Sequence, residues 1–117
     1  MSIYVVNIVI PSNSDYSQVF TLEDGESNSA FNLTGYSAYA MLKKSPLSSS
    51  TAANFNVNIL SPPTQGKILI SLGSSATSSL RPGRYSYDIL IKNDSIGVKT
   101  RVVEGSALVT AGVTTTV

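Results

Sequence analysis

The acidic residues that could carry chemistry lie mainly in one early segment of the chain. Asp15, Glu23, Asp24 and Glu26 are close together in the sequence. Calcium ions are held by several carboxylate and carbonyl oxygens, but the spacing of these four residues does not match an EF-hand loop. Two interpretations stay open, a weak ion site and a solvated acidic loop.

Nucleophilic or acid–base catalysis would need residue types that the sequence lacks. The chain contains no histidine and no cysteine. Histidine is the usual general base near neutral pH and the commonest metal ligand, and no Gly-x-Ser-x-Gly elbow is present. A Ser–Lys pair is formally available at Lys43, Lys44 and Ser45, but this stretch is typical of a strand that ends in a loop. The sequence therefore predicts a protein that is not an enzyme and has no cofactor or metal.

Tyrosines are the other candidate functional residues. Tyr85 and Tyr87 alternate with polar residues, so their rings share one face of a strand. An exposed pair would stack on a sugar, whereas an inward-facing pair would give its hydroxyls to backbone carbonyls at the corner of a sandwich. Tyr39 and Tyr85 are the candidate surface aromatic residues.

The charge balance bears on possible partners. Eight basic and seven acidic residues give a net charge of +1, which leaves no chain-wide field to attract nucleic acid. The apolar run from Ser2 to Ile10 is too short to span a bilayer, and no basic region precedes it. We therefore expect no nucleic-acid or membrane partner. Seven basic residues either form one face that docks on an acidic protein surface or are scattered for solubility: Lys43, Lys44, Arg81, Arg84, Lys92, Lys99 and Arg101.

The local patterns that would position these residues are those of strands. Apolar residues recur with period two or in short runs bounded by turn residues, and no stretch keeps a helical period for three turns. Residues 73–80 suit a single helical turn, and Gly105 is expected to mark a bulge. The turn at Pro82 and Gly83 should place a positive φ at the glycine. Strands are predicted at Ile3–Ile10, Ser17–Leu22, Ser37–Lys43, 54–59, Lys67–Leu72, Tyr85–Lys92 and Val98–Thr110.

About seven short strands in 117 residues predict one all-β domain over residues 1–117, a two-sheet β-sandwich rather than a small barrel. Residues 54–59 and 67–72 are expected to form a hairpin, and Phe31 to Tyr36 should plug the core before the third strand. The predicted core comprises Tyr4, Val6, Ile8, Phe20, Leu22, Ala38, Ala40, Leu42, Phe55, Val57, Ile59, Ile68, Ile70, Leu72, Tyr87, Ile89, Val102 and Val109.

The first and last strands are apolar on both faces, so the alternation does not decide which face points inward. A strand that is apolar on both faces can be covered by a partner subunit. The uncharged tail, residues 111–117, has β propensity and could extend to a neighbouring subunit. The candidate partner-contact residues are Ile3, Val5, Val9, Val113 and Val117.

Several short segments, taken in order, resemble a known family. The resemblance covers about residues 15–113 and is to the β-sandwich modules of tailed-bacteriophage virion proteins, as in baseplate upper proteins and small structural proteins of myoviruses. The segments are Phe31-Asn32-Leu33-Thr34-Gly35-Tyr36, Lys43-Lys44, Gly66-Lys67-Ile68, Thr77 to Leu80, Pro82-Gly83-Arg84-Tyr85, Tyr87-Asp88 and Arg101-Val102-Val103-Glu104-Gly105.

This resemblance implies an immunoglobulin-like, antiparallel sandwich that acts as a connector. The family usually carries a fibre or receptor-binding segment downstream, and this sequence ends at Val117, so we expect an adaptor, fibre-base or decoration subunit. The expected partners are other virion proteins of the tail, baseplate, neck or capsid, with several copies of the chain in the particle. The expected location is the virion, after synthesis in the host bacterial cytoplasm. The alternatives are a capsid decoration protein and a carbohydrate-binding adhesion module.

Overall fold

The computed structural model describes residues 4–24 and 29–113, and these form strands with one short helix. Within these ranges no helix is long and apolar enough to cross a membrane. The strands are β1 (Tyr4–Val5), β2 (Ile8–Pro11), β3 (Tyr16–Thr21), β4 (Glu23–Asp24), β5 (Ser29–Ala30), β6 (Tyr36–Lys43), β7 (Ala53–Asn54), β8 (Asn56–Ile59), β9 (Lys67–Leu72), β10 (Gly83–Asn93) and β11 (Lys99–Thr110). A 3-10 helix, Pro63–Gln65, and helix α1, Ser74–Ser78, lie between them.

Two sheets pack face to face, which confirms the predicted sandwich. The large sheet has the order β1, β11, β10, β6 and β7, with β2 also paired to β11, and the small sheet has the order β3, β9 and β8. A separate ribbon joins β4 to β5. The small sheet corresponds to strands B, E and D of an immunoglobulin domain, and β6, β10 and β11 correspond to strands C, F and G. The chain therefore has an immunoglobulin-like fold.

One part of the large sheet is not antiparallel. Both β1 and β2 pair with β11 in parallel, whereas the remaining ladders are antiparallel. The predicted single strand over residues 3–10 is divided here, because the chain leaves the ladder at Val6 and Asn7. Tyr4, which was expected in the core, is 36% exposed, because β1 is the outermost strand of its sheet and has only β11 beside it.

The predicted hairpin is present, and the residues predicted to face the core lie opposite one another. Val57 lies opposite Ile70 and Ile59 opposite Ile68, while the asparagines between them are exposed. The first strand of the hairpin is shorter than the predicted 54–59, because the chain changes sheets at Phe55. This buried residue separates β7 in the large sheet from β8 in the small one, and its backbone N–H donates to the Ala40 carbonyl (3.2 Å).

Most of the predicted core residues lie between the two sheets. Val6, Ala38, Val57 and Ile59 are only partly buried but pack against this core. The buried apolar residues are Ile8, Ile10, Tyr16, Phe20, Leu22, Leu33, Ala40, Leu42, Phe55, Ile68, Ile70, Leu72, Leu80, Tyr85, Tyr87, Ile89, Ile91, Val102, Val103, Ala107 and Val109. Thr77 of α1 is also buried, and its hydroxyl donates to the Ser14 carbonyl (2.9 Å), which fixes the predicted helical turn on the core.

Two glycines were assigned a structural role from the sequence, and the structure confirms one assignment and corrects the other. Gly83 has a positive φ of 145°, as its place after Pro82 predicts. The predicted bulge is not at Gly105, which lies in register opposite Tyr87. The ladder shifts between Ile89 and Leu90, where Val102 is the extra residue of β11. This extra residue lets Val102 and Val103 both be buried.

One end of the sandwich closes around Gly66. This residue has φ +68°, and a Cβ on it would lie 2.6 Å from the Leu22 carbonyl oxygen and 2.8 Å from that of Phe31. Leu22 donates its N–H to the Gly66 carbonyl (2.8 Å), and Leu33 donates to that of Pro63 (2.9 Å). These bonds seat the expected plug, in which Leu33 is 1% exposed. The rings of Phe31 and Tyr36 meet edge to face with centroids 5.6 Å apart.

Truncating the hairpin core tests its register. Ile70→Ala and Phe55→Ala should each lower the free energy of unfolding by about 2–5 kcal/mol, because each leaves a cavity between the sheets. Asn56→Ala is the matched control and should change the urea midpoint little, since its side chain is exposed. A larger loss for Asn56→Ala than for Ile70→Ala would show a register shifted by one residue.

Candidate interaction surface

The N-terminal segment is attached to β11 at a point of very close packing. A Cβ on Gly105 would overlap the Val6 carbonyl oxygen, so only glycine lets the two backbones approach this closely. Val6 donates its N–H to the Glu104 carbonyl (2.9 Å). The Tyr87 hydroxyl, reaching out of the core, donates to the Val6 carbonyl (2.6 Å).

Asn7 completes the attachment and divides β1 from β2. Its side-chain oxygen accepts hydrogen bonds from the backbone N–H and the hydroxyl of Ser106, each at 3.1 Å. The Asn7 side-chain oxygen therefore takes the place of a backbone carbonyl as the acceptor for the Ser106 N–H, at the point where the N-terminal segment leaves its ladder with β11. β2 then resumes with Ile8 opposite Ala107.

This attachment decides which face of the first strand points outward. Ile8 and Ile10 are buried, whereas Val5 is 72% and Val9 56% exposed. Val9 lies opposite Leu108 of β11, which is 39% exposed. Val5, Val9 and Leu108 lie along one edge of the outer face of the large sheet, with Asn7 between the two valines. These three apolar side chains are defined here as the valine edge.

A groove of about 480 Å³ crosses the outer face next to the valine edge. Val5 and Met41 lie on its walls, and Leu90 lies between them on β10. Its floor carries an ion-pair network in which Arg101 Nε lies 3.2 Å from an Asp88 carboxylate oxygen and Arg101 Nη1 lies 3.7 Å from one of Glu104. The two acidic groups of the groove are thus already paired with one arginine.

The structure places only some of the candidate partner-contact residues on the valine edge. Val5 and Val9 lie together on the valine edge, but Val113 does not join them: it follows the end of β11 and is 99% exposed. Ile3 lies outside the described residues, and so do residues 114–117 of the tail, which include Val117.

The two candidate surface aromatics also differ. Tyr39 is exposed, at 52%. Tyr85 is not a surface residue: it is 7% exposed, and its hydroxyl donates to the Arg81 carbonyl (2.7 Å). Lys44 Nζ lies 4.7 Å from the centroid of its ring. Tyr85 and Tyr87 therefore follow the inward alternative, because the parity of β10 that buries Ile89 and Ile91 buries both tyrosines as well.

Sequence reasoning did not identify Met41, Leu90 and Leu108 as surface residues. The signal for two of them was available, since Met41 alternates with Ala40 and Leu42, and Leu90 alternates with Ile89 and Ile91. Leu108 had no such signal, because β11 is apolar at neighbouring positions of both parities.

The early acidic segment is used in part for structure. Asp15 accepts a hydrogen bond from the backbone N–H of Ser74 (2.7 Å) at the start of α1. Glu23 lies in the β4–β5 ribbon, and Glu26 lies outside the described residues. In the part of the chain that the structure describes, no three acidic side chains come together as a possible metal site.

Comparison with known proteins gives no functional relative. No protein-family model matches the chain, and no curated protein matches it. Among solved structures 32 chains match. One is the structure of the NK cell receptor Nkp44, described as a triggering partner in natural cytotoxicity, with 11% sequence identity, a TM-score of 0.46, and coverage of 94% of this chain and 100% of that one.

The attachment at Val6 can be tested by removing one hydroxyl. Tyr87→Phe should lower the free energy of unfolding at pH 7 by about 1–2 kcal/mol, because the Val6 carbonyl loses its donor in a part-buried site. Tyr16→Phe is the matched control: the Tyr16 hydroxyl is buried and has no hydrogen-bond partner among the described residues. Urea unfolding of both variants gives the comparison, and a greater loss for Tyr16→Phe would contradict this role of Tyr87.

The same two tyrosines predict alkaline sensitivity. Burial raises the pKa of Tyr16 above its usual value of 10.0, and burial together with the neighbouring Tyr16 raises the pKa of Tyr87. The unfolded chain therefore loses these protons first as the pH rises. The stabilisation is complete below about pH 10 and falls above it by up to about 1.4 kcal/mol per pH unit and tyrosine. Urea midpoints between about pH 8 and pH 11 should fall less steeply for the double variant Tyr16→Phe/Tyr87→Phe than for the wild-type chain.

Proposed function

We propose that this chain is a non-catalytic structural protein of a tailed-bacteriophage particle, an adaptor or connector that attaches one virion protein to another. The valine edge is the observation that carries the proposal. Val9 and Leu108 lie side by side on the outer face, and Val5 lies farther back along the same edge, beyond Asn7. These side chains expose apolar surface that the core does not need, and exposed apolar surface is typical of protein interfaces.

The resemblance of residues 15–113 to phage β-sandwich modules supports the virion assignment. Its segments occupy structural positions: Leu33 and Tyr36 belong to the plug at one end of the sandwich, Gly66 closes that end, and Gly105 admits the N-terminal segment. Such residues maintain a fold and leave the outer face free to vary with the partner. The proposed partners are other proteins of the tail, baseplate, neck or fibre base, with several copies of this chain in the particle.

The carbohydrate-binding alternative loses its main support in the structure. It relied on a platform of tyrosines drawn from Tyr4, Tyr16, Tyr36, Tyr39, Tyr85 and Tyr87. Three of these, Tyr16, Tyr85 and Tyr87, are buried, whereas Tyr4 is 36% and Tyr39 is 52% exposed. Tyr39 is exposed without a second aromatic ring paired to it among the described residues. A single ring offers less stacking surface than a platform of several rings.

Particle incorporation tests the proposal directly. Gradient-purified particles from a lysed culture of the source should contain the chain at a fixed ratio to a major virion protein, measured by quantitative mass spectrometry. Val5→Asp/Val9→Asp should reduce this ratio at least tenfold, because two buried carboxylates would oppose docking, while the melting temperature of the free chain stays within a few degrees.

Val19→Asp is the matched control. Val19 is 45% exposed on the small sheet, so its substitution adds a charge to a comparable surface valine outside the valine edge. Incorporation of this variant should equal that of the wild-type chain. Purified particles that lack the chain altogether would contradict a virion role.

The tail gives a second test of the same function. Deleting residues 112–117 should leave the melting temperature of the isolated chain nearly unchanged, because Val113 is exposed beyond the end of β11 and terminal residues order only when they are tied down. Incorporation should fall if the tail adds as a strand to a neighbour's sheet edge. A large drop in melting temperature with normal incorporation would show that the tail belongs to the chain's own sheet.

A further inference from the structure

Basic side chains are concentrated on one face of the molecule. Five of the eight basic residues point outward from the large sheet, because they alternate with its buried positions or lie opposite outward residues. They are Lys43, Arg84, Lys92, Lys99 and Arg101. The same face carries three acidic residues, Asp88, Glu104 and, beside Ser37 at its edge, Asp94. The face therefore has an excess of two positive charges, although the whole chain has a net charge of only +1.

Most of this positive charge has no ion-pair partner among the described residues. Arg101 pairs with Asp88 and Glu104, and in the described ranges it is the only basic residue that forms an ion pair. Asp94 accepts hydrogen bonds from the Ser37 hydroxyl. Lys92 and Lys99 lie directly opposite one another on β10 and β11. Like charges facing each other across neighbouring strands destabilise a sheet, so an anionic group bound between them would relieve an unfavourable interaction.

The surroundings of the two lysines have the composition of a protein interface. Tyr39 and Leu90 line a shallow depression of about 260 Å³ together with these lysines. Met41 and Arg101 lie farther along the same face, around the groove. Tyrosine, methionine and arginine are the residue types enriched where proteins meet, with lysines common only at the rim. The face thus combines an apolar and aromatic centre with a positive margin.

The dimensions of the face suit a protein better than a small molecule. The eight residues of β6 and a width of four strands span roughly 26 Å by 19 Å, which is an extended surface rather than an enclosed cavity. The depression at the lysines is smaller than the ~300 Å³ at which ligand pockets begin. The adjoining groove of about 480 Å³ reaches that size, but the acidic groups that line it are already paired with Arg101. A second copy of the chain is disfavoured, because two such faces would oppose two excess positive charges to two.

We infer that the outer face of the large sheet docks an acidic protein surface, whose carboxylates lie between Lys92 and Lys99 and whose apolar residues contact Tyr39 and Leu90. This inference rests on the proposed attachment function and specifies the chemistry of the partner. Attraction of this kind steers encounter and selects the partner by charge. The apolar centre and the valine edge then supply the area that is buried.

A peptide titration tests the inference without the natural partner. The probe is a blocked peptide that alternates glutamate with leucine, and the matched probe alternates lysine with leucine. In ¹⁵N–¹H spectra of the full chain, the glutamate probe should shift the amides of β6, β10 and β11 around Tyr39 and Lys92. The lysine probe should not shift them. The apparent affinity should fall at least tenfold between about 50 mM and 300 mM salt, since the contacts are charged and exposed.

Charge variants locate the site. Lys92→Glu/Lys99→Glu should abolish the shifts, and Lys92→Gln/Lys99→Gln should weaken the affinity several-fold, which covers the case in which the reversed charges disturb folding. Lys67→Glu is the control, because Lys67 is exposed on the small sheet and should bind the probe like the wild-type chain. Equal weakening by Lys67→Glu, or shifts confined to the small sheet, would overturn the inference.

Two further outcomes would replace this partner with another. If a trigalacturonate shifts the same amides and the glutamate probe does not, the face binds anionic sugar. If sedimentation velocity shows a dimer that Lys92→Glu/Lys99→Glu dissociates, the face binds a second copy. A chain that binds the glutamate probe through Lys92 and Lys99 but is absent from purified particles would contradict the proposed virion function and leave the acidic docking intact.

Discussion

The contact on which the outer surface depends is the one between Val6 and β11. The missing side chain at Gly105 lets the Val6 carbonyl come close to the β11 backbone, and the Tyr87 hydroxyl reaches that carbonyl from the core at 2.6 Å. Because Val6 is fixed at this point, the side chains before and after it can alternate between the core and the outer face in only one way. Ile8 must point inward and Val9 outward. A first strand that is apolar on both faces thereby acquires one core face and one surface face.

A second close backbone contact at a glycine fixes the end of the small sheet where β9 begins. Gly66 occupies a left-handed conformation and lies against two backbone carbonyls that a side chain would displace. The plug around Leu33 is held there by backbone bonds, so the chain can cross from one sheet to the other without exposing its apolar residues. Close backbone packing at a glycine thus fixes both the N-terminal segment, beside Gly105 in the middle of β11, and the end of the sandwich around Gly66. The outer face of the large sheet contributes little to the core. That face is therefore free to carry charge and apolar groups for a partner.

The parts of the fold that the sequence predicted are those with an unambiguous alternation. The hairpin of β8 and β9 has apolar residues at every position of one parity, while the other parity is polar except for Leu69. Its inward face was therefore predicted correctly. The N-terminal strand and β11 are apolar at both parities, so the inward face was decided only by long-range contacts such as the one between Asn7 and Ser106. Tyr85 was assigned to the surface although its spacing from Tyr87 fitted the core equally well. The parallel pairing of β1 and β2 had no local signal, because it joins residues nearly a hundred positions apart.

That parallel pairing gives the molecule a particular mechanical geometry. β1 and β2 run in the same direction as β11 and are bonded along its length, from Tyr4 beside Val103 to Pro11 beside Thr110. A force that pulls Tyr4 toward the N-terminus and Thr110 toward the C-terminus acts along these strands. It therefore loads their hydrogen bonds in shear, and all of them at the same time. Peeling, in which bonds break one after another, requires a force across the strands. The β-sandwich can therefore bear load along its strand axis with the first and last strands acting as a single clamp.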